Sequence, residues 1–200
     1  KYLVADTKES LLKRMQQDGY VRSYTKNDFY TGNQVATKLW VGDYATEDTF
    51  EGFAQKAEGI ERIGVLRADV DNLGTTFVYG FQRPDGSHKY VTLSRTATLS
   101  RQLSLFFKCY INSLLREGEA GIFAGKGKRN AAIVYSGGDD VFLVGAWNEV
   151  IAAFQKLKNA LARFAQGTLT ISGGIGVYPE KYPLNVMAKE VERLEDASKQ

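Results

Sequence analysis

Apolar residues change their spacing several times along the chain, and each change predicts an element. RIGVLRAD, residues 62–69, carries apolar side chains on both faces, the pattern of a central strand covered on both sides. NLGTTFVYGF then predicts a short helix, and QRPDGSHKY a Pro-Asp-Gly turn. From Ser94 to Arg116 the spacing is helical, through Leu99, Leu103, Phe106, Tyr110 and Leu114. AGIFAGKGKRN, residues 120–130, predicts a glycine- and lysine-rich loop. AAIVYS and VFLVGA predict two strands around a Gly-Gly-Asp-Asp turn. Trp147 to Ala165 is amphipathic at helical spacing, TLTISGGIGVY predicts another strand, and a last helix starts at Leu184.

From residue 60 the order is therefore β-α-α-β-β-α-β-α. It predicts an α+β fold: a ferredoxin-like layer with helices on one face of a mostly antiparallel sheet. Residues 1–58 read differently. SLLKRMQQDG predicts a short helix closed by Gly19, and TKLWVGDY a strand. TEDTFEGFAQKAEG predicts a helix capped by Thr46 or Asp48. No complete core is visible there. The expected division is an N-terminal appendage, 1–58, and a main domain, 59–200. The chain opens with Lys and ends in a helical pattern without a Gly or Pro stop, so a longer parent polypeptide is expected.

Bulk properties narrow the classes. An apolar content of 44% with 24% charged residues suits a soluble globular protein, and no apolar run predicts a membrane helix. A net charge of +3 permits nucleotide or nucleic-acid contact without demanding it. The single cysteine, Cys109, cannot form an intrachain disulfide, so a reducing, cytoplasmic setting is expected.

The carboxylates carry the chemistry. The strand ends in ADVDNLG, where alternation puts Asp69 and Asp71 on one face. The hairpin supplies Asp139 and Asp140, and a central strand end can lie beside a neighbouring hairpin tip. Clustered carboxylates repel, and a divalent cation relieves that cost. Mg²⁺ suits oxygen ligands shared with substrate phosphates. Gly137 and Gly138 permit close approach of a nucleotide, and the VDNLG turn can present backbone N–H groups to phosphate. The bland alternative is a solvated hairpin tip, since Gly and Asp are ordinary turn residues.

Four separated stretches, LRADVDNLG, LSRTATLSRQLSLFFKCYINSLL, VYSGGDDVFLVGAW and ISGGIGVYPEKYPLNVMAKEVERLEDASK, together resemble a known family. It is the GGDD palm domain of the large subunit of type III CRISPR effector complexes, Csm-type, related to nucleotidyl cyclases. The resemblance covers about residues 59–200, and the segment before it resembles the end of a small linker domain.

The resemblance implies synthesis of cyclic oligoadenylate from ATP upon target RNA binding, in antiviral defence. Asp69, Asp139 and Asp140 would then be catalytic and, with Val70, would hold Mg²⁺ or Mn²⁺, with two ions expected. Residues Val70, Asp71, Asn72, Leu73 and Gly74 would lie along the triphosphate. Ser136, Gly137 and Gly138 would border the nucleotide, and Lys199 would contact phosphate. Implied partners are the other effector subunits, guide RNA, target RNA and a second palm domain of the same full-length subunit. The family also carries an HD nuclease domain and a C-terminal helical domain, for which no His-Asp doublet or segment is found here.

Two alternatives stay open at this point. One is a diguanylate cyclase-like enzyme using GTP, against which the hairpin continues Asp-Asp-Val rather than Glu-Glu-Phe. The other is a nucleotide-binding scaffold without turnover. The remaining motifs read as structural. GIFAGKGK fails the Walker spacing, because three residues separate Gly121 from Gly125. His88, the only histidine, predicts a solvated turn residue, which argues against a zinc site or a His-based triad. Cys109, Phe106, Phe107 and Tyr110 predict core packing. Asp43 in WVGDY reads as structural, and ISGGIG as a bulge or a place of tight packing.

Overall fold

The computed structural model describes residues 3–17, 19–83, 85–116 and 128–199. It divides into two compact units, Lys1–Val41 and Gly42–Gln200. The loop predicted at 120–130 lies outside the described residues up to position 127.

In the first unit, helix α1 (Lys8–Met15) starts at Thr7, whose hydroxyl accepts from the Ser10 N–H at 3.1 Å. Strands β1 (Arg22–Lys26) and β2 (Val35–Leu39) pair in parallel. Tyr20 ties the connection to the helix. Its hydroxyl donates to the Met15 carbonyl at 3.2 Å and accepts from the Gln34 N–H at 2.9 Å. The strand predicted in TKLWVGDY stops at Leu39.

The second unit begins at Gly42, earlier than the change of pattern at residue 58. The segment after Gly42 packs into it: Tyr44 is buried, and Ala45 bridges to Ala132. Helix α2 (Phe50–Gln55) follows, and Phe53 and Ala54 are buried in the same unit. Its cap is Thr49 rather than Thr46 or Asp48, the Thr49 hydroxyl accepting from the Gly52 N–H at 3.1 Å.

Then come β3 (Ile63–Val70), α3 (Leu73–Tyr79), α4 (Leu93–Leu105), a π-helical turn (Phe106–Tyr110) and α5 (Ile111–Arg116). They are followed by β4 (Ala131–Gly137), β5 (Asp140–Ala146), α6 (Trp147–Phe164), β6 (Ile171–Tyr178) and α7 (Leu184–Ser198). The expected element order is therefore present, and the sheet is antiparallel throughout, in the order β4-β5-β3-β6.

Helices cover both faces of this sheet, not one. Leu66, Ala68 and Val70 of β3 point to the larger core, with Val141, Leu143 and Ile171, against Leu103, Phe107, Ile111, Val150 and Leu157. Ile63 and Val65 point the other way, with Val144 and Tyr178, against Phe53 of α2 and Met187 and Val191 of α7. The covered-strand pattern of β3 anticipates this arrangement better than element order does. Gly174 lets α7 lie close. A Cβ there would sit 2.4 Å from the Val191 carbonyl oxygen and 2.5 Å from the Glu195 nitrogen. ISGGIG is thus a place of tight packing.

The long helix predicted from Ser94 to Arg116 is interrupted, for a reason visible in its stripe. Leu103, Phe107, Ile111 and Leu115 are all buried and recur every four residues. An α-helix repeats about every 3.6 residues, so over three steps the stripe gains about one residue on the helix. The π-turn absorbs that residue. Within it the Ile111 N–H reaches the Phe106 carbonyl, five residues back.

Candidate functional site

Asp69 is the last residue but one of β3, and its neighbours follow from register. Asp140 lies opposite it on β5, and Ser172 opposite it on β6. Directly opposed residues share a face, so Asp140, Asp69 and Ser172 form a row across three strands. The hairpin tip is locked to this row, since the Val70 N–H donates to the Asp139 carbonyl at 3.2 Å. Gly138 has φ +65°, which lets the chain reverse and carry Asp139 to that point.

The following turn is fixed from the sheet's edge strand. The Asp71 N–H donates to the Thr170 carbonyl at 2.9 Å, and the Thr170 hydroxyl to Asp71 Oδ2 at 2.6 Å. Asp71 Oδ1 is buried without a partner. Asn72 is left-handed at φ 52° and opens α3 without capping it through its side chain. From α7, the Lys199 ammonium lies 2.5 Å from Asp69 Oδ2 and 2.6 Å from Glu195 Oε1.

These groups surround a cavity of about 470 Å³, within the range of roughly 300–1,000 Å³ usual for small-ligand sites. Residues 69–74, Asp139 and Lys199, all candidate site residues, line it. Asp140, Ser136, Gly137 and Gly138 do not. The Tyr135 hydroxyl stands near Asp140 and draws its carboxyl down. Ser136 turns to the opposite side, its hydroxyl donating to the Phe107 carbonyl in the π-turn. Thr170, Ser172 and Ser198 also line the cavity, and sequence reasoning misses them.

The electrostatics ask for a cation. Burial, then the charges of Asp69 and Asp140, push the Asp139 carboxyl above its ordinary range, against the pull of Lys199. Burial raises Asp140 as well, opposed by the nearby Tyr135 hydroxyl. The Asp140 charge in turn raises the Tyr135 hydroxyl. For Lys199, burial works to lower the pKa, but the bonds to Asp69 and Glu195 outweigh it and hold the ammonium above its ordinary value. Among the described residues, no group of three or more His, Cys, Asp or Glu side chains forms a ready cage for a metal ion. With the orphaned Asp71 oxygen and the raised Asp139, the donor set fits a cation that shares its ligands with substrate phosphate.

The family model of the Cas10/Cmr2 second palm domain matches residues 62–200. The chain belongs to this family. A relative from Mycobacterium tuberculosis, the CRISPR system single-strand-specific deoxyribonuclease Cas10/Csm1 of subtype III-A, is 49% identical over 190 residues. The match covers 94% of this chain and 23% of the relative. The crystal structure of Csm1 in T. onnurineus superposes with a TM-score of 0.77 at 29% identity, covering 92% of this chain and 27% of that one. A Csm1–Csm4 cassette in complex with AMPPNP superposes with a TM-score of 0.74 at 31% identity, over 89% and 26%. Further cassette structures hold one ATP or cA4. The palm thus spans about a quarter of the relatives it matches. The α+β palm predicted from sequence is the fold found. Among the described residues, no helix of this palm is long and apolar enough to cross a membrane.

Proposed function

We propose that this palm binds ATP and contributes to metal-dependent synthesis of cyclic oligoadenylate within a type III CRISPR effector, in response to target RNA. One observation carries the reading: Asp69 and Asp139 line one 470 Å³ cavity together with Lys199, whose ammonium is paired with Asp69. The relatives support it, since Csm1–Csm4 cassettes are known with one ATP and with cA4.

Asp69, Asp139 and Asp140, with the Val70 carbonyl, would hold Mg²⁺ or Mn²⁺, which when bound lowers the pKa of an attacking 3′-hydroxyl and neutralises a leaving pyrophosphate. The chain's own groups do the rest. The 70–74 backbone and the Thr170 and Ser172 hydroxyls line the space a triphosphate would fill. Lys199 supplies a phosphate-directed ammonium. Tyr135 stands beside Asp140, and Ser136 to Gly138 set the shape of the turn. The deoxyribonuclease in the relative's name is that of a longer protein, of which this chain spans about a quarter.

The facing palm needed for joining two adenylates would be the counterpart of this second palm, elsewhere in the full-length subunit. Residues 1–58 are read as the end of a preceding linker domain, 59–200 as the palm. The setting is cytoplasmic, with the other subunits, guide RNA and target RNA as partners. In the assembled complex, Asp139→Ala with Asp140→Ala should abolish oligoadenylate formation from labelled ATP while assembly persists. Full product formation by that double variant would refute the assignment.

A further inference from the structure

Lys199 sits between two carboxylates that differ in depth. Glu195 is only 4% exposed and is paired twice: Oε1 takes Lys199 at 2.6 Å, and Oε2 takes Arg67 Nε at 3.2 Å. Arg67 also reaches Glu192 at 3.0 Å, which ties this pair of helical acids to the middle of β3. The close pass of α7 over Gly174 holds the Glu195 backbone in place. Asp69, by contrast, stands at the cavity wall, beside Asp139 and across from Ser172.

Losing Lys199 would leave the buried Glu195 with only Arg67, on its other oxygen, which is costly, whereas Asp69 at the cavity wall can exchange one cation for another. The Lys199–Glu195 contact is therefore the durable one, and the Lys199–Asp69 contact the one that can open. A lysine ammonium on its flexible stem can swing about such an anchor.

Resting on the reading of the cavity as a nucleotide site, we propose that Lys199 is a stand-in cation at Asp69, pivoting on Glu195. It neutralises Asp69 while the cavity lacks nucleotide. When a nucleoside triphosphate enters, the ammonium turns to the polyphosphate and releases Asp69 to the divalent cation. Glu195 is a positioning residue that keeps Lys199 at the wall in both states. It follows that metal alone binds weakly, and that metal and nucleotide strengthen each other's binding by the same factor.

The test uses the assembled complex with the full-length subunit. Free Mn²⁺ is followed by electron paramagnetic resonance, and the part due to this site is the difference from an Asp69→Asn complex. Without nucleotide, Lys199→Met is expected to tighten that Mn²⁺ binding about tenfold, and to weaken a non-hydrolysable ATP analogue about tenfold. Glu195→Gln is expected to weaken the analogue without tightening Mn²⁺, since Lys199 then has only Asp69. An unchanged or weaker Mn²⁺ affinity in Lys199→Met overturns this inference alone. A wild-type complex that binds no analogue overturns the nucleotide reading, and this inference with it. Lys199→Met keeps the aliphatic stem, so it decides the matter even if Glu195→Gln does not assemble.

Discussion

The two faces of β3 belong to one strand and do different work. One face presents Leu66, Ala68 and Val70 to a continuous apolar core. The other begins alike, with Ile63 and Val65, and then turns to Arg67 and Asp69. Burial of the first face positions the backbone; the second face then places charge at the strand's end with no freedom to retreat. The polar end of the second face is tolerable only because the apolar face holds the strand in place.

The sharpest way to break that comparison is to change one face and read the other. Asp69→Asn should lower product formation by about a thousandfold, the equivalent of several kcal/mol of lost charge stabilisation. Its stability in urea should shift by less than about 1 kcal/mol, because the Asp69–Lys199 pair is partly exposed. Leu66→Ala should do the reverse. It is expected to lose about 3 kcal/mol in urea unfolding, with per-molecule activity of the folded fraction preserved. Equal losses on both readouts for either variant would mean that the faces are not separable.

A substitution at their junction should move both readouts moderately. In Gly174→Ala the new methyl meets the Val191 carbonyl and the Glu195 nitrogen, so α7 must shift. The expected cost is about 1–3 kcal/mol. ATP affinity should fall with it, because Lys199 travels with the helix. Titration calorimetry beside urea unfolding would show whether the two losses are coupled.

The smallest effect is in pH. The folded state binds protons on Asp139 and Asp140 more tightly than the unfolded chain, since burial raises both carboxyls above 3.8. Stability is therefore lost as pH rises through this interval, and the penalty is fully present at neutral pH. In metal-free buffer, Asp139→Asn should raise the thermal midpoint at neutral pH by on the order of 2 °C. The gap should close on acidification toward about pH 4. A gap that widens instead would mean that the carboxylate is stabilised, not strained, in this site.

Much of this was legible from residue order, and the exceptions have causes. The strands and the hairpin follow from alternation and turn chemistry, whereas the meeting of ADVDNLG with GGDD was one permitted arrangement that the register of β3 and β5 decides. The cap of α2 shifts to Thr49 because three candidate residues lie within one turn, and local sequence does not choose among them. Element order leaves open which side of the sheet each helix takes, yet the two-faced apolar pattern of RIGVLRAD already required cover on both. Thr170, Ser172 and Ser198 were invisible as site residues because ordinary hydroxyls gain meaning only when register brings them beside Asp69. The resemblance implies Ser136 as a nucleotide neighbour. Strand alternation aims it instead at the helical layer.

That last contact gives the π-turn a consequence of its own. The segment from Phe106 to Tyr110 adjusts phase, not length. Forcing the same residues into an unbroken α ladder would turn α5 by about 100° relative to α4. Phe107 would lose its alignment with Ser136. Asn112 would swing away from the backbone amides of Asp43 and Tyr44, which its Oδ1 now receives at 2.9 and 3.0 Å. The π-turn therefore couples the hairpin that carries the aspartates and the strap at Tyr44 to one and the same helical layer.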